Sequence, residues 1–153
     1  MKVFVAILAL VACVCAEEWT MKNSEQLKVI RHECLSEHPL TPEQMNKMKS
    51  FEFPNEEPVR QYLLCTAEKM GIFCSHQGYH ADRIAKQFKM DMDEEEVKKL
   101  AEDCIAKYPK GDKANDVAAF EVHGCLMSSV IGDKVKNYIK QRHEAAQQQQ
   151  QQA

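Results

Sequence analysis

Cysteine and histidine side chains are the groups in this sequence that could take part in chemistry, and several of them lie close together. Cys65 and Cys74 are nine residues apart, and His76 and His80 follow Cys74. Residues of these types can form a disulfide, a zinc site or a thiolate nucleophile activated by histidine. The surrounding sequence has to distinguish these three possibilities.

The zinc site and the nucleophile find little support in the sequence. It contains neither a CxxC nor an HExxH motif, and Gly78 weakens a helix that would bring His76 and His80 onto one face. No recognisable motif supplies an oxyanion site or a third residue to orient a histidine beside Cys74. We therefore predict no metal site, no cofactor and no catalytic residue, and we do not expect an enzyme.

Disulfide pairing has two solutions. If the helix through Cys65 continues to Cys74, their Cα atoms lie about 13 Å apart, because a helix rises by about 1.5 Å per residue. This is about twice the reach of a disulfide, so a bond between them requires the chain to reverse at Gly71. The other solution joins different helices and pairs Cys34 with Cys65 and Cys104 with Cys125. Spacing alone does not fix the connectivity.

The first sixteen residues have the features of a secretory signal peptide. Lys2 precedes the apolar run Val3–Val14, and small residues occupy the positions before a cleavage site after Ala16. The run is shorter than the roughly 20 apolar residues that span a bilayer, and no later stretch could span one. We therefore expect a protein secreted into extracellular fluid, where disulfides form.

Composition narrows the set of partners. The formal net charge is −3, and no basic stripe interrupts the chain, so we do not expect nucleic acid binding. Seven cysteines are present, and removal of the signal peptide leaves five. An odd number leaves one cysteine without an intramolecular partner.

Helical spacing of apolar residues recurs along the mature chain, and no stretch shows convincing strand alternation. Capping boxes are predicted at Thr41–Gln44 and at Asp93–Glu96, Gly71 is a helix stop, and Gly132 is the break before the last helix. The predicted helices cover 22–37, 42–51, 58–70, 80–88, 93–108, 116–131 and a last segment with Val135, Tyr138 and Ile139.

These segments predict one compact all-α domain of six or seven helices over residues 17–140. Residues 141–153 are rich in glutamine, and the run 147–152 has no apolar side chain to bury. We predict that this tail is disordered.

The cysteine pattern resembles that of the insect odorant-binding proteins over about residues 22–140. The first, third, fourth and sixth cysteine positions of that family are matched by Cys34, Cys65, Cys104 and Cys125. The family's second and fifth cysteines, which bond to each other, would fall at Gln61 and Asp116. Their joint absence is typical of a four-cysteine subgroup called C-minus. The segment EEPVRQYLLCTAEKMGI is also similar to the family's third helix.

The resemblance implies a set of cysteine roles. It implies the bonds Cys34–Cys65 and Cys104–Cys125, and it leaves Cys74 as a free thiol, which we expect to be at least half-buried beside Phe73. Without the bridge between the third and sixth helices, those helices should move more freely than in six-cysteine relatives.

The resemblance also implies a function. Family members enclose an internal hydrophobic cavity and carry one small hydrophobic molecule, an odorant, a pheromone or a fatty-acid-like lipid, through aqueous fluid. Burial of apolar ligand surface, worth about 25 cal/mol per Å², would provide the affinity. The implied partners are this ligand and a membrane receptor that takes it over, and the protein would be a monomer or a weak homodimer.

The inward-facing apolar positions are the candidates for ligand contact, with core packing as the alternative for each. They are Met45, Met48, Phe51, Leu63, Met70, Phe73, Ile84, Phe88, Leu100, Phe120, Met127, Ile131 and Tyr138. His123 shares a helix with Phe120 and Met127 and is either a pH-sensitive latch near the cavity or a surface or hydrogen-bonded histidine. The alternative function is a small helical secreted factor with a filled core that binds other proteins through its surface.

Overall fold

The computed structural model describes residues 18–151, and the regular secondary structure of this part of the chain is almost all helical, as predicted. Its elements in chain order are α1 (Ser24–Glu37), α2 (Pro42–Lys49), α3 (Glu57–Lys69), β1 (Phe73–Cys74), β2 (Gly78–Tyr79), α4 (Ala81–Phe88), α5 (Glu94–Lys107), α6 (Asn115–Met127) and α7 (Val130–Gln151). The predicted signal peptide lies outside the described residues. Within them, no helix combines the length and apolar character needed to cross a membrane.

Local capping signals determine where several helices begin and end. Thr41 and Gln44 exchange both hydrogen bonds of the predicted capping box at the start of α2. At α5, Asp93 accepts bonds from the backbone N–H groups of Glu95 and Glu96, but the return bond from the Glu96 side chain is not formed. Gly71 ends α3 with φ +71°, which confirms its prediction as a stop.

Two disulfides join neighbouring helices. Cys34 and Cys65 connect α1 to α3 with Cα atoms 5.8 Å apart, and Cys104 and Cys125 connect α5 to α6 at 5.7 Å. Cys74 is the free cysteine of the described residues and is partly buried. The bond between Cys65 and Cys74 that the sequence left open is therefore not formed.

A short antiparallel hairpin follows α3, although the sequence predicted no strands. Phe73 pairs with Tyr79 and Cys74 with Gly78. Gly78 has φ +80°, a conformation that glycine adopts without strain. Two-residue strands are too short to show an alternation of apolar and polar residues. Gly78 is therefore the one residue of this hairpin whose type indicates a break in helical structure.

The boundary between the last two helices differs from the prediction. The break lies at Ser128 and Ser129, and Gly132 is inside α7. The Ser129 hydroxyl accepts a bond from the backbone N–H of Ile131, which caps the new helix. A Cβ at Gly132 would collide with the Met127 carbonyl, so this glycine permits a close approach between the two helices.

The predicted disordered tail is also corrected. α7 continues through the glutamine run to Gln151, with residues 140–150 exposed. Glutamine, alanine and glutamate favour helix, and extending an existing helix requires no new nucleus. The tail therefore forms an exposed helical extension, and near its start Arg142 donates to the Ser24 hydroxyl of α1 at 3.1 Å.

A partly buried ion pair joins α3 to α6. Arg60 Nε donates to Asp116 Oδ2 at 2.8 Å, and the two side chains are 22% and 11% accessible. Arg60 also donates to the Asn55 side chain. Asp116 stands where the resemblance places a bridging cysteine, and Arg60 neighbours Gln61, the other such position. A polar contact therefore links the two helices at the place where the resemblance would put a disulfide in six-cysteine proteins.

We predict that Asp116→Ala lowers the free energy of unfolding by about 2 kcal/mol, because it leaves Arg60 partly buried without its charged partner. Urea denaturation measures this change. Asp103→Ala is the matched control, since Asp103 pairs with Lys99 on the exposed face of α5 at 3.7 Å and should lose less than about 0.5 kcal/mol. Equal losses in the two variants would contradict a structural role for the Arg60–Asp116 pair.

Candidate functional site

A cavity of about 280 Å³ lies between α1, α2, α3, α4, α6 and α7. Leucine, isoleucine, methionine and phenylalanine supply most of its wall, and the few polar side chains on it are Arg31, Tyr62, Thr66, Tyr79 and His123. We call this space the inner cavity. Its size is near the lower end of the range for small-molecule sites, roughly 300–1,000 Å³.

Most of the predicted contact residues lie on the wall of this cavity. They are Met48, Phe51, Leu63, Met70, Ile84, Phe88, Met127 and Ile131. Met45 instead lines a neighbouring space, described below. Eight of the thirteen predicted positions therefore line the inner cavity.

Four predicted residues line neither space. Phe73 is buried against Tyr79, with ring centroids 5.2 Å apart. Leu100 packs against a separate small core around Ala85, Val97 and Ile131, and Phe120 packs against the main core. Tyr138 is 47% exposed, with Arg142 over its ring. Helical spacing identifies the apolar face of a helix, but it does not show whether that face meets a void or other side chains.

The sequence reasoning missed several wall residues. Some of these residues are apolar positions of the predicted helices that were not assigned to the cavity. Others lie in irregular segments or have polar side chains. They include Leu27, Ile30, Phe53, Tyr62, Ala67, Ile72, Leu126, Val135 and Ile139. Phe53 lies in the connection between α2 and α3, where no periodicity applies.

A second space of about 570 Å³ adjoins the inner cavity, between α7 on one side and α1, α2 and α3 on the other. We call it the outer pocket. The two spaces share five wall residues, which lie where the spaces meet: Arg31, Met48, Phe51, Tyr62 and Ile139.

Phe51 reaches this shared position through an unusual backbone conformation. It follows the C-cap of α2 with φ +61°, in the left-handed region that a bulky residue seldom adopts. The N–H groups of Phe51 and Glu52 bond to the carbonyls of Met48 and Lys47, which is the Schellman arrangement that usually places glycine here. A phenylalanine in this place is strained, and its ring forms part of the wall of both spaces.

The polar groups of the inner cavity differ in whether their hydrogen-bonding capacity is used. Thr66 donates to the Leu63 carbonyl at 2.8 Å, and the buried Tyr79 hydroxyl donates to the Ala119 carbonyl at 3.4 Å. His123 is partly accessible, but its Nε2 atom is enclosed and has no hydrogen-bond partner among the described residues. The ring of Phe53 packs edge-on against it, with centroids 4.5 Å apart.

Burial in this apolar wall lowers the pKa of His123 to about 4, because the charged imidazolium is poorly solvated there. The side chain is therefore neutral at neutral pH. The Nε2 atom of His123 therefore lies in the apolar wall without a hydrogen bond, although the residue as a whole is partly accessible.

None of the neighbouring cysteines and histidines of the sequence lies on the wall of the inner cavity; these residues are Cys65, Cys74, His76 and His80. Cys74 lies in β1 and accepts a weak bond from the backbone N–H of Gln77 at 3.3 Å. Glu37, His38 and Cys65 bring possible metal-ligating atoms within 4.8 Å of one another. Cys65 is bonded to Cys34, however, so its sulfur cannot bind a metal as a thiolate.

Comparison with known proteins agrees with this architecture. Residues 16–129 match the PBP/GOBP family. The chain belongs to this family. The resemblance to odorant-binding proteins predicted from the cysteine pattern is thereby confirmed, and the match covers α1 to α6.

Three relatives of this PBP/GOBP member carry odorant-binding names. Odorant-binding protein 22 of Aedes aegypti is 35% identical over 107 residues, which cover 70% of this chain and 77% of the relative. General odorant-binding protein 99a of Drosophila melanogaster is 30% identical over 140 residues, covering 90% and 96%. General odorant-binding protein 99b of the same species is 24% identical, covering 84% and 93%.

We predict that His123 makes the family member less stable in acid. Its pKa is about 6.5 when unfolded and about 4 when folded, so the unfolded chain binds more protons between these values and stability falls as the pH drops through them. Between about pH 7 and pH 5, this residue contributes a loss of about 2 kcal/mol. Urea denaturation of His123→Leu should show a correspondingly smaller loss.

His76→Gln is the control, because His76 is exposed in the hairpin turn and should leave the acid loss as it is in the parent. An acid loss of the same size in His123→Leu and in the parent would show that His123 is not a buried neutral imidazole.

Proposed function

We propose that the protein is a secreted carrier that binds one small hydrophobic molecule in the inner cavity and transports it through aqueous fluid. The observation that supports this most directly is the mainly apolar wall, contributed by six helices, around a space that no side chain fills. The odorant-binding names of the relatives point in the same direction.

Hydrophobic transfer would supply most of the affinity. A ligand that buries on the order of 200 Å² of apolar surface gains about 5 kcal/mol, before the cost of immobilising it. The methionines of the wall have flexible, polarizable side chains that adapt to different shapes. The class of ligand that fits is an odorant, a pheromone or a fatty-acid-like lipid.

Other features of the carrier are also part of this proposal. The protein would belong to the four-cysteine subgroup, act as a monomer or weak homodimer, and hand its ligand to a membrane receptor. The thirteen apolar positions named from the sequence reduce to nine proposed contacts, eight on the inner cavity and Met45 on the outer pocket. A factor with a filled core is less favoured, because an unfilled apolar cavity gives such a protein no advantage.

Filling the cavity tests the proposal. Ala67 is buried on the wall in α3, and Ala67→Met would extend a side chain into the space the ligand needs. We expect the affinity for a fluorescent hydrophobic probe, N-phenylnaphthylamine, to fall roughly tenfold, the effect of about 1.4 kcal/mol. Fluorescence titration measures the affinity, and circular dichroism shows whether the variant is folded.

Ala106→Met makes the same change on the exposed face of α5 and should bind the probe like the parent. If the parent takes up no probe in a saturable manner, or if both variants bind as well as the parent does, the inner cavity is not a binding site.

A further inference from the structure

The outer pocket has a charge that differs from that of the protein as a whole. The chain carries a formal net charge of −3. The wall of the outer pocket nevertheless contains one arginine, three lysines and one histidine, and no carboxylate among its described residues: Arg31, Lys49, Lys136, Lys140 and His143. Such a concentration of one sign attracts an anion.

Most of these cations have no anionic partner of their own. None of the ion pairs among residues 18–151 involves Arg31, Lys49 or Lys140. Lys136 donates to the Met127 carbonyl and lies 3.9 Å from Asp133. Elsewhere on the surface, lysines such as Lys69 and Lys89 contact carboxylates at 2.7–2.9 Å. The charges of the outer pocket are therefore available to a ligand.

The outer pocket shares five of its wall residues with the inner cavity. Arg31 and Tyr62 belong to both walls, and the Arg31 charge acts on the Tyr62 hydroxyl, opposing the rise in the pKa of Tyr62 that burial causes. Met48, Phe51 and Ile139 form the remaining shared wall. Apolar surface on one side and cationic groups on the other match a molecule with a hydrocarbon tail and an anionic head.

We propose that the ligand is an anionic amphiphile, whose tail occupies the inner cavity and whose carboxylate is held in the outer pocket by Arg31, Lys49 and Lys140. This inference rests on the proposed carrier function and specifies its ligand class. The head stays at the solvated end, because moving a carboxylate into the apolar cavity would cost several kcal/mol. A guanidinium can bind a carboxylate through two parallel hydrogen bonds, whereas the lysines act as point charges.

Paired ligands test the proposal. Dodecanoic acid and its methyl ester have the same tail, and only the acid carries a charge at neutral pH. Competition with N-phenylnaphthylamine at low salt should give the acid the higher affinity, and this advantage should shrink in about 0.5 M salt as charges are screened. Equal affinities of acid and ester for the parent protein would overturn the proposal.

Matched double variants locate the effect. In Lys49→Gln/Lys140→Gln, the affinity for the acid should fall about fivefold, the effect of removing two ion pairs made by exposed lysines, while the affinity for the ester stays the same. Lys86→Gln/Lys107→Gln removes the same charge from two exposed residues away from the pocket and should leave both affinities as in the parent. Equal losses of acid affinity in the two double variants would overturn the proposal by showing a general charge effect.

The ester separates this inference from the proposed function. If the ester binds in one saturable site but the acid has no advantage, the carrier function stands and the anionic head group is wrong. If neither molecule binds, the carrier proposal fails, and the head-group proposal fails with it.

Discussion

The constraint on which the structure depends is the need to hold an apolar space open. Protein interiors pack densely, and an apolar void costs about 24 cal/mol per Å³, which is about 7 kcal/mol for 280 Å³. Two disulfides that close loops of 31 and 21 residues contribute about 3–4 kcal/mol each in the chain-entropy model. The cross-links are therefore comparable with the cost of the void, and a bound ligand would offset that cost further.

The third helix, α3, is held to two other helices and also forms part of the cavity wall. Cys65 fixes it to α1, the Arg60–Asp116 pair joins it to α6, and Leu63 and Ala67 form part of the cavity wall. An ion pair restrains two helices less than a covalent bond does, because it opens and closes without breaking a bond and depends on salt and pH. The link between α3 and α6 is thus a reversible one, next to the cavity that would have to admit and release a ligand under the proposed carrier function.

The sequence predicted the features that depend on local patterns. The capping box at Thr41, the stop at Gly71 and the amphipathic helices follow from interactions between residues close in the chain. The placement of Leu100, Phe120 and Tyr138 could not be predicted in this way, because a residue on an apolar face contacts core or void depending on distant helices. The absence of a hydrogen bond to His123 Nε2 could not be predicted either, because the ring that packs against this histidine, Phe53, comes from another segment. The break at Ser128 was predictable in principle, since paired serines are capping residues, but Gly132 was the stronger signal in the sequence.

Native mass spectrometry with a titrated ligand tests the central claim most directly. When an aliphatic ligand such as dodecanoic acid is added to the purified protein, the account predicts one additional species, with a single ligand mass, that saturates at one equivalent. Extraction with organic solvent should return the mass of the protein alone. Unsaturable addition of several ligands, or no complex at any concentration, would contradict a single internal binding site and with it the carrier function.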